Sequence, residues 1–403
     1  MSQRPLDIAL YGATGFTGRL AARYLADHAP TLRWGLAGRD ADKLAKIRDS
    51  LGPEFADRPL LIADSSRPET LHELAAQARV LITTAGPYMR YGSPVVAACV
   101  EQGTDYVDIT GETPWVREMI DQHHERAKEK GLRIVPLCGF DSIPSDLGAY
   151  LAVQALRAQG QATRWARGYV TMKGGAGGGT VASALNLAET GQVKLLGKPL
   201  LLNPKERQDP AEKARSRDQR EAHYDPRIGA WTAPFFMETV NSRVVRRSNA
   251  LFAAEGLGYG EQFTYGECTR AGSRWQAMTL TAGMAVSVAL MSQGWGRALV
   301  SKLMPAPGAG PSEQIRAEGF TRMHMLAEGE GGAKVAIRIE ERADPGFGFT
   351  TKCLCEAALA LATQREALPD RAGLLTPATA FGEVLAERLR AAGVRIEQME
   401  AQF

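Results

Sequence analysis

Asp7-Ile8-Ala9-Leu10-Tyr11-Gly12-Ala13-Thr14-Gly15-Phe16-Thr17-Gly18 lies near the start of the chain, an apolar run that breaks into three spaced glycines. The run predicts a buried strand, the glycines a tight loop, and Arg19 to Asp27 the helix that follows. Gly12 permits the sharp turn, Gly15 lets the backbone approach a diphosphate, and Gly18 lets the helix lie against the strand. Thr14, Phe16 and Thr17 fill the loop and the first helical positions, where free amides face an anion. A glycine triplet alone is weak. Here a strand precedes it and a helix follows, the context a dinucleotide-binding loop needs.

The next strand, Arg33 to Arg39, ends where an acidic side chain would bind the ribose hydroxyls of NAD. Gly38 and Arg39 stand there instead, and Lys43 follows one helical turn later. A cation accepts a 2′-phosphate that a carboxylate would repel, so the expected cofactor is NADP(H). Asp40 is expected to cap the helix Ala41 to Asp49.

The 403 residues suffice for two or three domains. Hydrophobic residues make up 44% and charged residues 23%, the composition of an ordinary soluble protein. A net charge of +3 gives no argument for nucleic acid. The five cysteines are scattered and odd in number, which argues against a disulfide framework and for a reducing, cytoplasmic setting. The first strand begins too early for a signal peptide. Ala277 to Met291 is almost wholly apolar yet shorter than the roughly 20 residues that span a bilayer. It reads as a buried or interface helix, with a membrane-surface contact or a substrate-tunnel wall as alternatives.

From residue 5 to about 135, strand and helix patterns alternate, which predicts a parallel sheet with helices on both faces. Asp64 and the turn Ala85-Gly86-Pro87 both follow strands, and should border adenine and nicotinamide respectively. From about 150 the texture changes. Arg167 to Lys173 reads as a strand, a glycine-rich loop leads into a helix from Val181, and Asn203 to Arg227 reads as a charged surface excursion. Val240 to Arg247, Arg316 to Met325 and Lys334 to Arg342 are strand candidates. Thr350 to Ala362 and Pro377 to Ala392 are predicted helices.

These motifs together resemble the saccharopine dehydrogenase-like oxidoreductases, in the branch that includes trans-acting enoyl reductases. The resemblance rests on Gly12 to Gly18, Leu36 to Arg39, Thr84 to Tyr88, Tyr106 to Glu112 and, most specifically, Cys138-Gly139-Phe140-Asp141-Ser142-Ile143-Pro144-Ser145-Asp146. Gly178-Gly179-Thr180, Asp344-Pro345-Gly346 and Leu375-Thr376-Pro377 extend it along nearly the whole chain. It implies a doubly wound Rossmann-type α/β domain over 1–150 and an inserted mixed α+β domain over 151–365. A C-terminal segment, 366–403, would pack its helix back on the first.

Hydride transfer asks the protein to place the nicotinamide and to handle one proton. Tyr88 is the first candidate donor and Tyr91 the second; the alternative for Tyr88 is packing on the nicotinamide ring or lining the pocket, since no lysine partner sits four residues on. Asp141 and Ser142 are pocket candidates at the same edge, while Ser145 and Asp146 are expected to cap the helix Leu147 to Arg157. Cys138 reads as an apolar filler. The loop Lys173 to Thr180 offers a second set of helix N-terminal amides, or is a plain connector. His123 with His124, and Cys353 with Cys355, have spacings that do not suit a metal. Arg243 to Arg247 reads as a charged strand face, with an acidic partner or a CoA phosphate as the alternative.

Three functions stay open at this level: reduction of a carbon–carbon double bond in a hydrophobic, acyl-linked substrate; saccharopine-type imine chemistry; and a catalytically silent NADP-binding protein. The expected partners are a small hydrophobic substrate and a second copy of the chain, with no nucleic acid and no membrane-spanning segment.

Overall fold

The computed structural model describes residues 4–174, 178–303, 310–401 and 403. The chain runs β1 (Leu6–Tyr11), α1 (Phe16–His28), β2 (Trp34–Gly38), α2 (Ala41–Asp49), β3 (Leu60–Ile62), α3 (Pro68–Gln77), β4 (Ala78–Thr83), α4 (Tyr88–Tyr91), α5 (Ser93–Gln102), β5 (Asp105–Asp108), α6 (Thr113–Glu129), β6 (Arg133–Val135) and α7 (Ile143–Arg157). It continues through β7 (Thr163–Lys173), α8 (Gly178–Glu189), α9 (Val193–Leu196), α10 (Pro210–Arg215), β8 (His223–Asp225), β9 (Ala230–Ala233), α11 (Glu238–Ala254), β10 (Thr264–Ala271), α12 (Arg274–Ser292), α13 (Gly294–Leu303) and α14 (Glu313–Ala317). It closes with β11 (Phe320–Gly329), β12 (Lys334–Glu341), α15 (Thr350–Thr363), β13 (Gly373–Leu374), α16 (Pro377–Phe381), α17 (Glu383–Ala391) and β14 (Arg395–Met399).

The first sheet is seven-stranded, in the order β13-β6-β5-β4-β1-β2-β3, and parallel throughout. Its central strands are covered on both faces, so β1, with every residue buried, carries no polar alternation. The order reverses between β1 and β4, which opens the crevice where doubly wound sheets hold ligands. The second sheet, β14-β12-β11-β7-β10-β9-β8, is mixed: β7 and β10 run parallel and the other pairs antiparallel. α7 crosses its inner face, and Gly148 lets that helix sit tightly, since a Cβ there would lie 3.3 Å from Ile339.

Several expectations from the sequence are corrected. Val240 to Arg247 is not a strand but the middle of α11, and its arginines point inward. Asn203 to Arg227 is no mere surface excursion: it contains α10 and β8, and buries Ser216 and Asp225. Pro377 to Ala392 forms two helices, broken at Gly382, whose φ of 53° a glycine tolerates. Ala277 to Met291 is helical but buries only Ala277. The chain also crosses the expected boundaries. α15 packs on α1 and β4, and β13 completes the first sheet, whereas β14 returns to the second.

Candidate active site

Because the first sheet is parallel, the loops after β3, β2, β1, β4, β5 and β6 lie side by side along one edge. In that order they present Asp64, Arg39, the glycine loop, Thr84 to Pro87, Ile109 to Glu112, and Leu137 to Ser142. The line is long enough in elements to take a dinucleotide end to end, and each station has a distinct chemistry.

Gly12 has a φ of 84°, and a Cβ on it would lie 2.9 Å from Thr84 Oγ1. A Cβ on Gly18 would lie 2.2 Å from the Gly12 carbonyl, so α1 can approach β1 only without a side chain there. Gly15 is the N-cap of α1 and offers no side-chain cap, leaving the first helical amides available to an anion. The Thr14 carbonyl accepts from Arg19 at 3.0 Å, and Thr84 Oγ1 donates to the Gly12 carbonyl at 3.1 Å, lacing the glycine loop to the loop after β4. Thr17 is half-buried in the first turn of α1.

At the β2 end, Asp40 caps α2, accepting from the Lys43 amide at 3.0 Å, and holds the Lys43 ammonium at 3.1 Å. Arg39 is exposed and makes no salt bridge among the described residues. Asp64 folds onto Ser66, accepting from its amide at 2.9 Å and its hydroxyl at 2.8 Å; those bonds, with Arg39 and Arg67 nearby, hold its carboxyl below the usual range.

At the other end, Tyr88 turns away from the crevice. It is 4% exposed, its hydroxyl donates to the Thr83 carbonyl at 3.1 Å, and its ring tilts against Trp115 at 5.6 Å. Burial raises its pKa far above the ordinary value. Its hydroxyl is engaged inside the fold, which suits neither a proton donor nor a ring lining the pocket. Tyr91 is 40% exposed at the end of α4. The Ala85 amide donates to Thr83 Oγ1 at 3.2 Å, and the Gly86 amide to the Thr84 carbonyl at 3.2 Å. Pro87 is the N-cap of α4 and cannot itself cap it. The buried Glu112 does so from the loop after β5: its carboxylate accepts from the amides of Tyr88 and Met89, both at 2.9 Å, and from Ser183 of α8 at 2.6 Å.

Asp141 stands at the last station. It is partly exposed, none of the hydrogen bonds or ion pairs among the described residues engages its carboxyl, and burial pushes its pKa up to about 6. The loop that carries it is aimed by Leu137, a non-glycine residue at φ 66°. Buried Asp108 holds that turn by accepting from the Leu137 amide at 2.9 Å and from Tyr106 at 2.7 Å. Burial raises the Asp108 carboxyl to about 7. Ser142 is corrected as a pocket residue: it is fully buried and donates to Asn241 at 3.2 Å, which in turn donates to Glu267 at 2.9 Å. Asp146 does not cap its own helix. It accepts from Ser248 and from the Ala378 amide at 2.8 Å, and so caps α16 across the domain junction.

Other elements close the edge in ways the sequence concealed. The five residues Pro345–Phe349 form a π-helical turn, a feature that recurs at functional sites, and Phe347 meets Phe16 edge-on at 4.7 Å. Arg316 lies over the other side of Phe16 at 5.6 Å. The signal for this turn was only the short Asp344-Pro345-Gly346 match. Arg243, Arg246 and Arg247 are buried: Arg243 pairs with Asp218 at 2.6 Å, and Arg247 donates to the carbonyls of Leu202 and Leu374 at 2.6 and 2.7 Å. They are not available to an external phosphate. Of the loop Lys173 to Thr180, residues 175–177 and the side chain of Thr180 lie outside the described residues.

The glycine cradle, the uncapped α1 terminus and the unpaired Arg39 fit a phosphorylated nicotinamide dinucleotide. Residues 8–135 match the family model of the saccharopine dehydrogenase NADP-binding domain. A provisionally named trans-acting enoyl reductase of Mycobacterium tuberculosis is 40% identical over 98% of this chain and 97% of its own length. The chain belongs to the saccharopine dehydrogenase-like family. A trans-acting enoyl reductase of Mycobacterium bovis is 38% identical, again over 98% of this chain and 97% of the relative. Apo saccharopine dehydrogenase (L-Glu forming) from Saccharomyces cerevisiae covers 98% of this chain and 99% of its own, with a TM-score of 0.56 at 11% identity, which shows a shared fold. As a member of this family the chain is an oxidoreductase that uses a nicotinamide nucleotide.

Proposed function

We propose that this protein uses NADPH to reduce the carbon–carbon double bond of a hydrophobic, acyl-linked substrate. Gly12, Gly15 and Gly18 would hold the diphosphate, Arg39 the 2′-phosphate, and Ala85 to Pro87 the nicotinamide edge. When bound, the cofactor supplies the hydride, which adds to the carbon β to the acyl carbonyl. The observation that carries the reading is Asp141: a half-buried residue on the loop after β6, whose carboxyl has no hydrogen bond or ion pair among the described residues and is pushed up by burial to a pKa of about 6. In this reading it delivers a proton to the α-carbon as the enolate collapses, and water restores its proton. Glu112 keeps α4 and the preceding turn in place, and α8 shields that end through Ser183.

The names of the relatives favour an enoyl substrate over an imine. So does the site: Arg90, on α4 beside the nicotinamide loop, is already engaged by Asn186 at 2.7 Å and Glu189 at 3.3 Å, which leaves it poorly suited to grip a dicarboxylate. All five cysteines are unpaired and buried, which supports a reducing, cytoplasmic setting.

The test follows NADPH fluorescence with purified protein and, in parallel, an enoyl thioester, an enone, and an α-keto acid with an amine. Consumption with the first two alone is the expected result. Consumption only with the keto acid and amine would transfer the assignment to imine chemistry. Tight binding with no turnover on any of them would make it a nucleotide-binding protein without this activity.

A further inference from the structure

α12 and α13 form a bent pair that projects its apolar side chains outward. No single helix among the described residues is long and apolar enough to cross a membrane, and the pair meets at a bend of 115°. Yet α12 buries only Ala277, while Trp275, Val286, Val288 and Trp295 are 75%, 58%, 61% and 67% exposed, with Met278 and Leu280 open beside them. A helix apolar on every side is ordinarily found in a core or against lipid. From Trp275 to Gly296 no residue carries a charge.

The hydroxyls on this stretch are also withdrawn. Thr279 donates to the Trp275 carbonyl at 2.9 Å, Thr281 to Ala277 at 2.8 Å, Ser287 to Gly283 at 2.9 Å and Ser292 to Ala289 at 2.6 Å. Hydroxyls folded back in this way ask nothing of a neighbouring phase. The charges at the margins all have one sign. Between Glu267 and Glu313 the chain contains no carboxylate, and its only charged residues are Arg270, Arg274, Arg297 and Lys302. Trp275 and Trp295 stand near the ends of the charge-free stretch, the residue type that prefers the level of lipid headgroups.

We infer that the α12–α13 hairpin is a membrane-surface anchor, lying within the headgroup layer of an anionic bilayer with its apolar side chains in the acyl region and its cations against lipid phosphates. Apolar area and positive flanks together are what interfacial binding requires, and the 115° bend suits a segment that enters one leaflet and returns. A second copy of the chain fits less well, because it would bring the same cations and no carboxylate on the hairpin to pair them. Both helices contact α8, which holds Glu112 through Ser183, so the anchor would seat the nicotinamide end of the crevice near the bilayer.

The test is sedimentation of the full chain with vesicles of phosphatidylcholine alone, or with roughly one third phosphatidylglycerol, at low and high salt. Substrate and cofactor are omitted, so the result stands apart from whether enoyl reduction is correct. The expected result is binding to the anionic vesicles, weakened by salt, with a blue shift of tryptophan emission. The double variant Val286→Asp/Val288→Asp should bind at least about tenfold more weakly while keeping the wild-type circular dichroism, because both side chains are already exposed. Wild-type protein left in the supernatant with anionic vesicles at low salt would overturn the proposal, as would a folded double variant that binds equally well. A wild-type dimer that the variant breaks, with no vesicle binding by either, would assign the surface to a second copy instead.

Discussion

At the residue scale, Asp141 and Arg39 are the side chains on which the proposed function rests, and neither has a hydrogen bond or ion pair among the described residues. The Asp141 carboxyl is raised from 3.8 to about 6 by burial, so the folded chain favours its neutral form. Stability from that preference is fully present below pH 3.8 and is lost as pH rises through about 6. Asp141→Asn should therefore stabilise the protein at pH 8 by about 1–3 kcal/mol in urea titration. The same change should lower kcat by about a hundredfold or more. It should also remove the fall in kcat/KM that the wild type shows as pH rises through 6; an unchanged pH profile would exclude Asp141 as the acid. Arg39→Ala is expected to raise the Kd for NADPH about tenfold or more, with little change for NADH, by fluorescence titration. Both residues could be found from sequence because each follows a strand end. Which of Tyr88, Tyr91, Asp141 and Ser142 faces the crevice could not, since neighbouring loop positions differ only in where tertiary contacts turn them.

At the scale of elements, the four-residue α4 depends on a carboxylate from the N-cap of α6. Its N-cap is Pro87, so Glu112 supplies both acceptors for the Tyr88 and Met89 amides and also anchors Ser183. Glu112→Ala should cost about 2–4 kcal/mol by urea titration, and Glu112→Gln about 1, since the amide keeps one acceptor oxygen. If the turn before α4 orients the nicotinamide, both variants will lower kcat more than they raise the Kd for NADPH. The helix α11 shows why periodicity misled at Val240 to Arg247. Arginine in the sequence signals solvent, yet here three guanidiniums are buried and engaged by Asp218 and by main-chain carbonyls from distant segments. The hairpin α12–α13 misled in the opposite direction: apolar composition signals a core, and the fold provides none over it.

For the whole molecule, buried carboxyls occur beside both sheets, Asp108 at the end of β5, Glu238 at the start of α11, and Asp146 on α7 where it caps α16. Burial raises Asp146 and Asp108 to about 7 and Glu238 to about 8. Raised carboxyl pKa values mean the folded state binds protons that the unfolded chain has released, so the stability these groups contribute is fully present below their ordinary values of 3.8 and 4.5 and is lost as pH rises through about 7 and 8. Thermal unfolding should accordingly begin at lower temperature at pH 9 than at pH 6, and Glu238→Gln should flatten that slope if the residue contributes to it. Order along the chain already specified the parallel sheet, the glycine turn after β1 and an exposed arginine after β2, because these follow from local periodicity and from residues adjacent to strand ends. Contacts between residues far apart decided the rest. Asp146 reaches Ala378, Arg247 reaches Leu374, and Phe347 reaches Phe16, each across a long stretch of chain. No local pattern encodes such partners: a buried charge and an exposed apolar helix are defined by what surrounds them, and that is settled only when the two sheets close on each other.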